Sequence, residues 1–237
     1  VHDLCLVDSP ELVNQDTISN FQHDLHESIE KANGIVAVSE FTKDRILSNF
    51  GNQYQSKIKV IYHGSDLDDI EETMPESSQP LPEKYLLYVG TIEPRKNISV
   101  LLRAIDDILG EHPDLKLLVC GNKGWESDQT YRLLEQKIIE KKVIHLPYSN
   151  RASLKYLYRN ASLLLFPSIY EGFGLPILEA AHCGTSVACS DIPVFREIFK
   201  EFPIYFDHMD PIDIADKINT FLNSPDMAAK KLKLGKD

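Results

Sequence analysis

The chain has 237 residues, of which 43% are hydrophobic and 26% charged, with a formal net charge of −11. That balance fits an ordinary soluble globular protein and argues against nucleic acid, whose binders are usually basic, and against broad adhesion to anionic membranes. No apolar run approaches the roughly 20 residues of a membrane-spanning helix, and no signal peptide is expected.

The length is generous for one domain and short for two full ones, and it allows a substantial core. Cys5, Cys120, Cys183 and Cys189 show no metal-ligand or CxxC spacing. Cys120 and Cys189 lie in apolar stretches, where reduced buried thiols are expected, and a cytosolic compartment fits them. Val1-His2-Asp3-Leu4 reads as the end of a strand, and the chain as a fragment whose front would supply the rest of a sheet.

Residues 16–32 have helical spacing, with Ile18, Phe21, Leu25 and Ile29 on one face. Residues 34–38 form a short buried strand, and Ser39 caps a helix to about Phe50. Alternation over residues 57–62 predicts another strand. Residues 66–82, acidic and rich in Ser and Pro, mark a linker. Then a rhythm begins. Strands are expected at 85–89, 115–120, 143–145, 163–166, 186–189 and 204–206, and helices at 98–109, 129–140, 152–160, 175–183 and 212–222. The fold class is therefore α/β: a Rossmann-like parallel sheet with helices on both faces. Ligands of such sheets sit at the carboxyl ends of the strands. That rule selects the loops at 90–97, 121–124, 147–149 and 171–175.

Glu171-Gly172-Phe173-Gly174-Leu175-Pro176 lies between an apolar strand and a helix. A strand feeding a glycine-bearing loop and a helix N-terminus is a place to hold an anion. Glu171 and Glu179 add acceptors for sugar hydroxyls, so the stretch suits a ligand that is part phosphate and part sugar. Gly90 ends the first strand after the linker, and Asn97 is placed to cap the next helix. Arg95 and Lys96 stand beside that helix start, where cations oppose the dipole. Two readings stay open for them: neutralisation of an anion such as a pyrophosphate, or a solvated surface. Gly121-Asn122-Lys123-Gly124 reads first as a glycine-bearing turn, and Trp125 and His182 as packing residues. His2-Asp3 and His63-Gly64-Ser65-Asp66 lack metal-ligand spacing and carry function only if they face a cleft. The lysines at 230, 231, 233 and 236 read as a solvated tail.

In this combination and order, the sequence resembles retaining glycosyltransferases of the GT-B fold, in the large family 4, over nearly the whole chain. Residues 35–42 and 60–66 resemble the close of that family's acceptor-side domain. Residues 89–97 resemble the opening of its nucleotide-sugar domain, and Glu171 to Glu179 its E-x7-E signature. The resemblance implies two domains: the end of the acceptor-side domain with a linker over 1–77, and the donor domain over 78–237. It implies Glu171 against the transferred sugar and His2 reaching that sugar from the other domain. The amides of Gly172, Phe173 and Gly174 would hold hydroxyls or phosphate, Leu175 would pack near the pyrophosphate, and Glu179 would accept from the ribose. Gly90, Arg95 and Lys96 would meet the diphosphate. Gly121, Asn122, Lys123, Pro147 and Tyr148 would face the base.

The implied activity is transfer of a hexose from a nucleotide-diphosphate sugar to a glycan or lipid-linked acceptor, with retention and without a metal or cofactor. The Gly-Thr-Ile-Glu-Pro-Arg-Lys-Asn form resembles the mannosyltransferase-like branch, which points to GDP-mannose. Thr91 stands where many members carry Arg, and Pro147 where members offer the base a glycine, so a backbone donor is lost there. The implied location is cytoplasmic, with at most peripheral contact at the inner face of the membrane. Apolar edges would favour self-association. The alternatives are a non-catalytic nucleotide-sugar-binding fragment needing a partner domain, and a sugar-nucleotide epimerase, which the Gly-Phe-Gly-Leu-Pro filling disfavours. A glycoside hydrolase fits less well, because its two carboxyls would not share one phosphate-binding loop.

Overall fold

A computed structural model describes residues 1–67, 69–77, 79–147, 149–224 and 226. They fall into two units. The first takes Val1–Gly64, Tyr170–Gly174 and Ile192–Lys200; the second takes Ser65–Ile169, Leu175–Asp191 and the described residues from Glu201 onward. Residues 65–77, placed by the sequence with the first domain, thus belong with the second unit, while 170–174 and 192–200 return to the first.

In the first unit, Ile35–Ala37 (β1) and Ile58–Val60 (β2) pair in parallel. Around them lie Cys5–Asp8 (α1), Gln15–Lys31 (α2), Glu40–Phe50 (α3) and, from later in the chain, Pro193–Phe199 (α8). Leu4, Ile29, Ile35, Ala37 and Ile46 make its core. The strand expected at the first four residues is absent. They run without regular pairing into α1, and Asp3 Oδ1 accepts from the Cys5 amide at 3.0 Å. Phe21 is not on the buried face of α2; it is 57% exposed, whereas Ile29 is buried. Four apolar positions at helical spacing outnumber those this small core can cover.

The second unit begins with a segment free of regular structure up to residue 84 among its described residues, as its Pro and Ser content predicts. The six-stranded sheet follows: Tyr85–Val89 (β3), Lys116–Cys120 (β4), Val143–Leu146 (β5), Leu163–Phe166 (β6), Val187–Ser190 (β7) and Ile204–Phe206 (β8). The order is β5-β4-β3-β6-β7-β8, and every pair is parallel. The sheet's helices are Ile98–Glu111 (α4), Asp128–Ile139 (α5), Arg151–Asn160 (α6), Leu175–His182 (α7) and Pro211–Leu222 (α9). Strands such as Leu163-Leu164-Leu165-Phe166 are apolar at every position because a parallel sheet is covered on both faces. The core joins Leu86, Leu117, Leu163 and Leu165 of the sheet to Ile98, Leu101, Ile105 and Ile108 of α4 and Ile214 and Ile218 of α9. Cys120 and Cys189 are buried, as expected of apolar-strand thiols, and burial pushes the Cys120 thiol pKa up. Among the described residues no helix is long and apolar enough to cross a membrane.

The order of the sheet fixes where its crevice lies. From β3 the chain steps outward through β4 to β5, then returns to β6 on the other side of β3. The loops after β3 and β6 therefore diverge at the topological switch point, the ligand site of doubly wound sheets.

Candidate functional site

The loop after β3 is a short 3-10 turn, Pro94–Lys96, set directly before α4. Its cations are not freely solvated. Arg95 is half-buried, and its Nη2 donates to Glu93 Oε1 at 3.0 Å. Lys96 Nζ stands 5.1 Å from the centre of the Phe166 ring, on the last residue of β6. The Arg95 carbonyl accepts from the Ile169 amide at 2.9 Å, which ties this loop to the one after β6. Both cations are thus held at the switch point, one by a carboxylate and one over an aromatic face. Asn97 stands at the expected cap position of α4 but does not cap it with its side chain. Its backbone is left-handed (φ 51°), and its Nδ2 donates instead to the His208 carbonyl at 2.8 Å.

Beside this loop lies the one after β4. A side chain on Gly121 would have its Cβ only 1.9 Å from the Gly90 carbonyl oxygen. The glycine is there so that two loop backbones can touch, which is the plainer of its sequence readings. Ile92 and Lys123 form an isolated parallel bridge, and the Gly121 amide donates to the Leu146 carbonyl at 3.0 Å. Gly90, Gly121, Asn122, Lys123 and Pro147 are so brought to neighbouring strand ends. Asn122, Lys123 and Pro147 are exposed there, and Lys123 lies 3.7 Å from Glu135. Tyr148 and the C-terminal lysines lie outside the described residues.

Glu179 projects from α7 and is buried. Arg151 Nη1 donates to its Oε1 at 2.6 Å, and the Tyr158 hydroxyl donates to its Oε2 at 2.9 Å. Burial, reinforced by Glu179, pushes the Tyr158 phenol far above its ordinary value, so it stays a donor. Leu175 opens α7 and is 42% exposed. The sequence reading missed Glu93, Arg151 and Tyr158. One signal was available: Arg151, Lys155 and Arg159 recur every fourth residue and share a helix face.

That face holds the segment after Gly64. Arg151 Nη2 pairs with Asp66 Oδ1. Lys155 Nζ donates to the carbonyls of Leu67 at 2.6 Å and Ile70 at 2.8 Å, and Arg159 reaches Glu72 at 3.3 Å.

In the first unit the other candidates assemble around Gly172. Its carbonyl accepts from Ser39 Oγ at 2.7 Å and Thr42 Oγ1 at 3.3 Å. Ser39 also caps α3 as expected, accepting from the Thr42 amide at 3.0 Å. The first amides of α3, on Glu40 and Phe41, are taken by the Glu197 carboxylate at 2.7 and 2.8 Å, which suits a helix N-terminus. A Cβ on Gly172 would fall 1.7 Å from the His2 carbonyl oxygen. The His2 ring stacks on His63 (5.5 Å, 6°), and His63 meets Phe173 edge-on (5.0 Å, 87°). His2 and His63 therefore border the Glu171–Gly174 loop. Glu171 itself is buried. The preceding Tyr170 donates to Asp8 Oδ2 at 2.6 Å, and Asp8 also takes a two-pronged contact from Arg45.

Burial, then the neighbouring His2, holds the His63 pKa below its ordinary value. A depressed histidine favours the neutral ring in the fold. Its contribution to stability is present above the unfolded value of about 6.5 and is lost as pH falls below it. The thermal midpoint is expected to fall as pH drops from about 7 to 5, and His63→Gln is expected to flatten that fall. Melting curves of both proteins across that range check this.

The family model for glycosyl transferases group 1 matches residues 69–236. The O-antigen chain mannosyltransferase B of Escherichia coli is 35% identical over 217 residues, covering 88% of this chain and 56% of that protein. The O-antigen chain mannosyltransferase RfbU of Salmonella typhimurium is 29% identical, covering 89% and 57%. The chain thus spans little more than half the length of these two relatives. Among solved structures, Anabaena HepE in complex with UDP and glucose superposes with a TM-score of 0.76 at 19% identity, covering 96% of this chain and 63% of that one. Sucrose-phosphate synthase from Thermosynechococcus elongatus gives 0.75 at 23%, covering 98% and 59%. These likenesses are of fold and agree with the GT-B expectation. With the family model spanning 69–236, the chain belongs to the glycosyl transferases group 1 family.

Proposed function

We propose that this chain carries the nucleotide-sugar-binding part of a retaining, metal-independent glycosyltransferase that moves a hexose to a glycan or lipid-linked acceptor. The observation that carries the reading is the placement of Arg95 and Lys96 at the switch point of a doubly wound sheet. Cations fixed there suit the charge that develops on a departing diphosphate, and the α7 N-terminus adds to that field. The names of the two O-antigen relatives favour mannose, and with it a guanine nucleotide.

In the proposed reaction the bond between the anomeric carbon and the diphosphate oxygen breaks, and its electron pair leaves with the diphosphate. The acceptor oxygen bonds to that carbon on the same face, and its proton passes to the diphosphate. Glu171 lies against the sugar, with His2 serving it from the acceptor side. The amides of Gly172, Phe173 and Gly174 meet hydroxyls or phosphate, and Leu175 packs beside the pyrophosphate. Glu179 accepts from the ribose, while Gly121, Asn122, Lys123, Pro147 and Tyr148 face the base. The location proposed is cytoplasmic, with at most peripheral contact at the membrane.

A second reading is a binding module that turns over only with further acceptor-side sequence. The 56% coverage of the Escherichia coli relative favours keeping it. A thermal-shift titration with GDP, UDP, ADP, GDP-mannose and UDP-glucose, all in EDTA, tests donor binding. Stabilisation by one nucleotide family is expected, about 2.7 kcal/mol at 100 times its dissociation constant. No shift with any of them would overturn the donor reading. Binding of the donor without transfer to any glycan or lipid-linked acceptor supports the second reading.

A further inference from the structure

Arg151 occupies an odd place for a cation. It is the first residue of α6, behind Asn150, whose Oδ1 caps the helix by accepting from the Ser153 amide at 2.9 Å. A positive charge at a helix N-terminus opposes the dipole, so its presence needs another cause. Two carboxylates supply it: Nη1 donates to Glu179 and Nη2 pairs with Asp66. The Glu179 side chain is only 10% exposed, and a carboxylate so placed requires a charged or hydrogen-bonding partner.

We propose that Arg151 is the positioning residue for Glu179, and that its grip, braced by Asp66, lets the protein tell a ribose from a deoxyribose. The inference rests on the reading of Glu179 as the ribose acceptor. Arg151 takes Oε1 and Tyr158 takes Oε2, so both oxygens of the carboxylate are fixed in direction. A carboxylate offers about four lone-pair sites. One protein donor on each oxygen is compatible with one ribose hydroxyl on each, which matches the vicinal pair of a ribose. Without Arg151 the carboxylate keeps Tyr158 but loses the donor that fixes its plane. Lys155 and Arg159 lie on the same face of α6 and grip the same segment as Asp66. Asp66 thus meets Arg151 from a segment that is itself anchored.

Calorimetric titration in EDTA of the full chain with GDP against 2′-deoxy-GDP, and UDP against 2′-deoxy-UDP, tests the proposal. Wild type is expected to bind the ribo form of its nucleotide about tenfold more tightly than the deoxy form, as fits a hydrogen bond to a charged acceptor. Glu179→Ala should bring that ratio near one. Arg151→Gln should cut it to about threefold or less, with Arg151→Lys recovering part and Asp66→Asn falling between. Arg159→Gln, which strips a cation from the same row without touching Glu179, should keep the wild-type ratio. If Arg151→Gln keeps the full ratio while Glu179→Ala abolishes it, the proposal fails and the ribose reading stands. If Arg159→Gln lowers the ratio as far as Arg151→Gln does, the effect belongs to packing of the segment and the proposal also fails. If Glu179→Ala keeps the ratio, or wild type binds neither nucleotide, the ribose reading falls and takes the proposal with it.

Discussion

On the proposed function, Gly172→Ala is expected to abolish sugar transfer and to weaken nucleotide binding by no more than about tenfold, roughly 1.4 kcal/mol, through the displaced loop amides. The added methyl would lie 1.7 Å from the His2 carbonyl oxygen and 2.8 Å from its carbon, both backbone atoms. Neither can rotate away as a long side chain would. The Gly172 carbonyl is also pinned from the other side by Ser39 and Thr42. The loop therefore cannot retreat without breaking the hydroxyl contacts at the cap of α3. Overpacking of this kind costs about 1–3 kcal/mol, and more where the neighbours are fixed. The stack of His2, His63 and Phe173 would be displaced along with Glu171. Urea denaturation should show the loss of stability, and a donor-turnover assay the loss of transfer. Wild-type turnover in the variant would show that the loop tolerates a shift the packing forbids.

Arg95→Ala combined with Lys96→Ala is expected to weaken diphosphate binding by about 10²–10⁴, since each charge-assisted hydrogen bond contributes about 1.5–3 kcal/mol. Binding of the bare nucleoside should change little. The Glu93 carboxylate sharpens the expectation. With Arg95 gone, a half-buried anion stands at the switch point beside the diphosphate, so repulsion adds to the lost attraction. Restoring neutrality with Glu93→Gln should recover part of the affinity. Titration of diphosphate and nucleoside into each variant measures the difference. Equal weakening of both ligands would mean that these cations do not read phosphate.

What the sequence revealed followed from local pattern. The strands at 85–89, 163–166 and 204–206 begin and end where expected, because runs such as Tyr-Leu-Leu-Tyr-Val have no polar position to blur their edges. The helix of residues 98–109 extends two residues further, an ordinary fraying error. The seven-residue α8 went unread, although Pro193 opens it; two turns are too few for an apolar period to show. Asn97 has the right residue type for a cap, but its side chain is claimed by the His208 carbonyl, 111 residues away. The glycines and Pro176 of the candidate site were legible because a strand feeding a glycine-bearing loop and a helix N-terminus suits an anion, and the glutamates because their spacing resembles the family's E-x7-E signature. Their partners were not. Glu179 meets Arg151 from 28 residues away, and Gly172 meets Ser39 from 133 away, so only the fold brings them together.

The row of cations on α6 also makes that helix a ruler. From Arg151 to Arg159 it rises about 12 Å, at about 1.5 Å per residue. The segment it measures, Asp66 to Glu72, has a contour of about 20 Å at roughly 3.3 Å per residue. The measured segment is thus longer than the gap between its anchors, whereas the helix has no length to spare. A residue deleted between Ile70 and Glu72, beyond the carbonyls that Lys155 holds, is expected to draw on that surplus and leave both ends attached. A residue deleted between Arg151 and Arg159 rotates Arg159 by about 100° relative to Arg151 and parts the two grips. Length change at this site is therefore one-sided, permitted in the irregular strand of chain and forbidden in the helix that measures it.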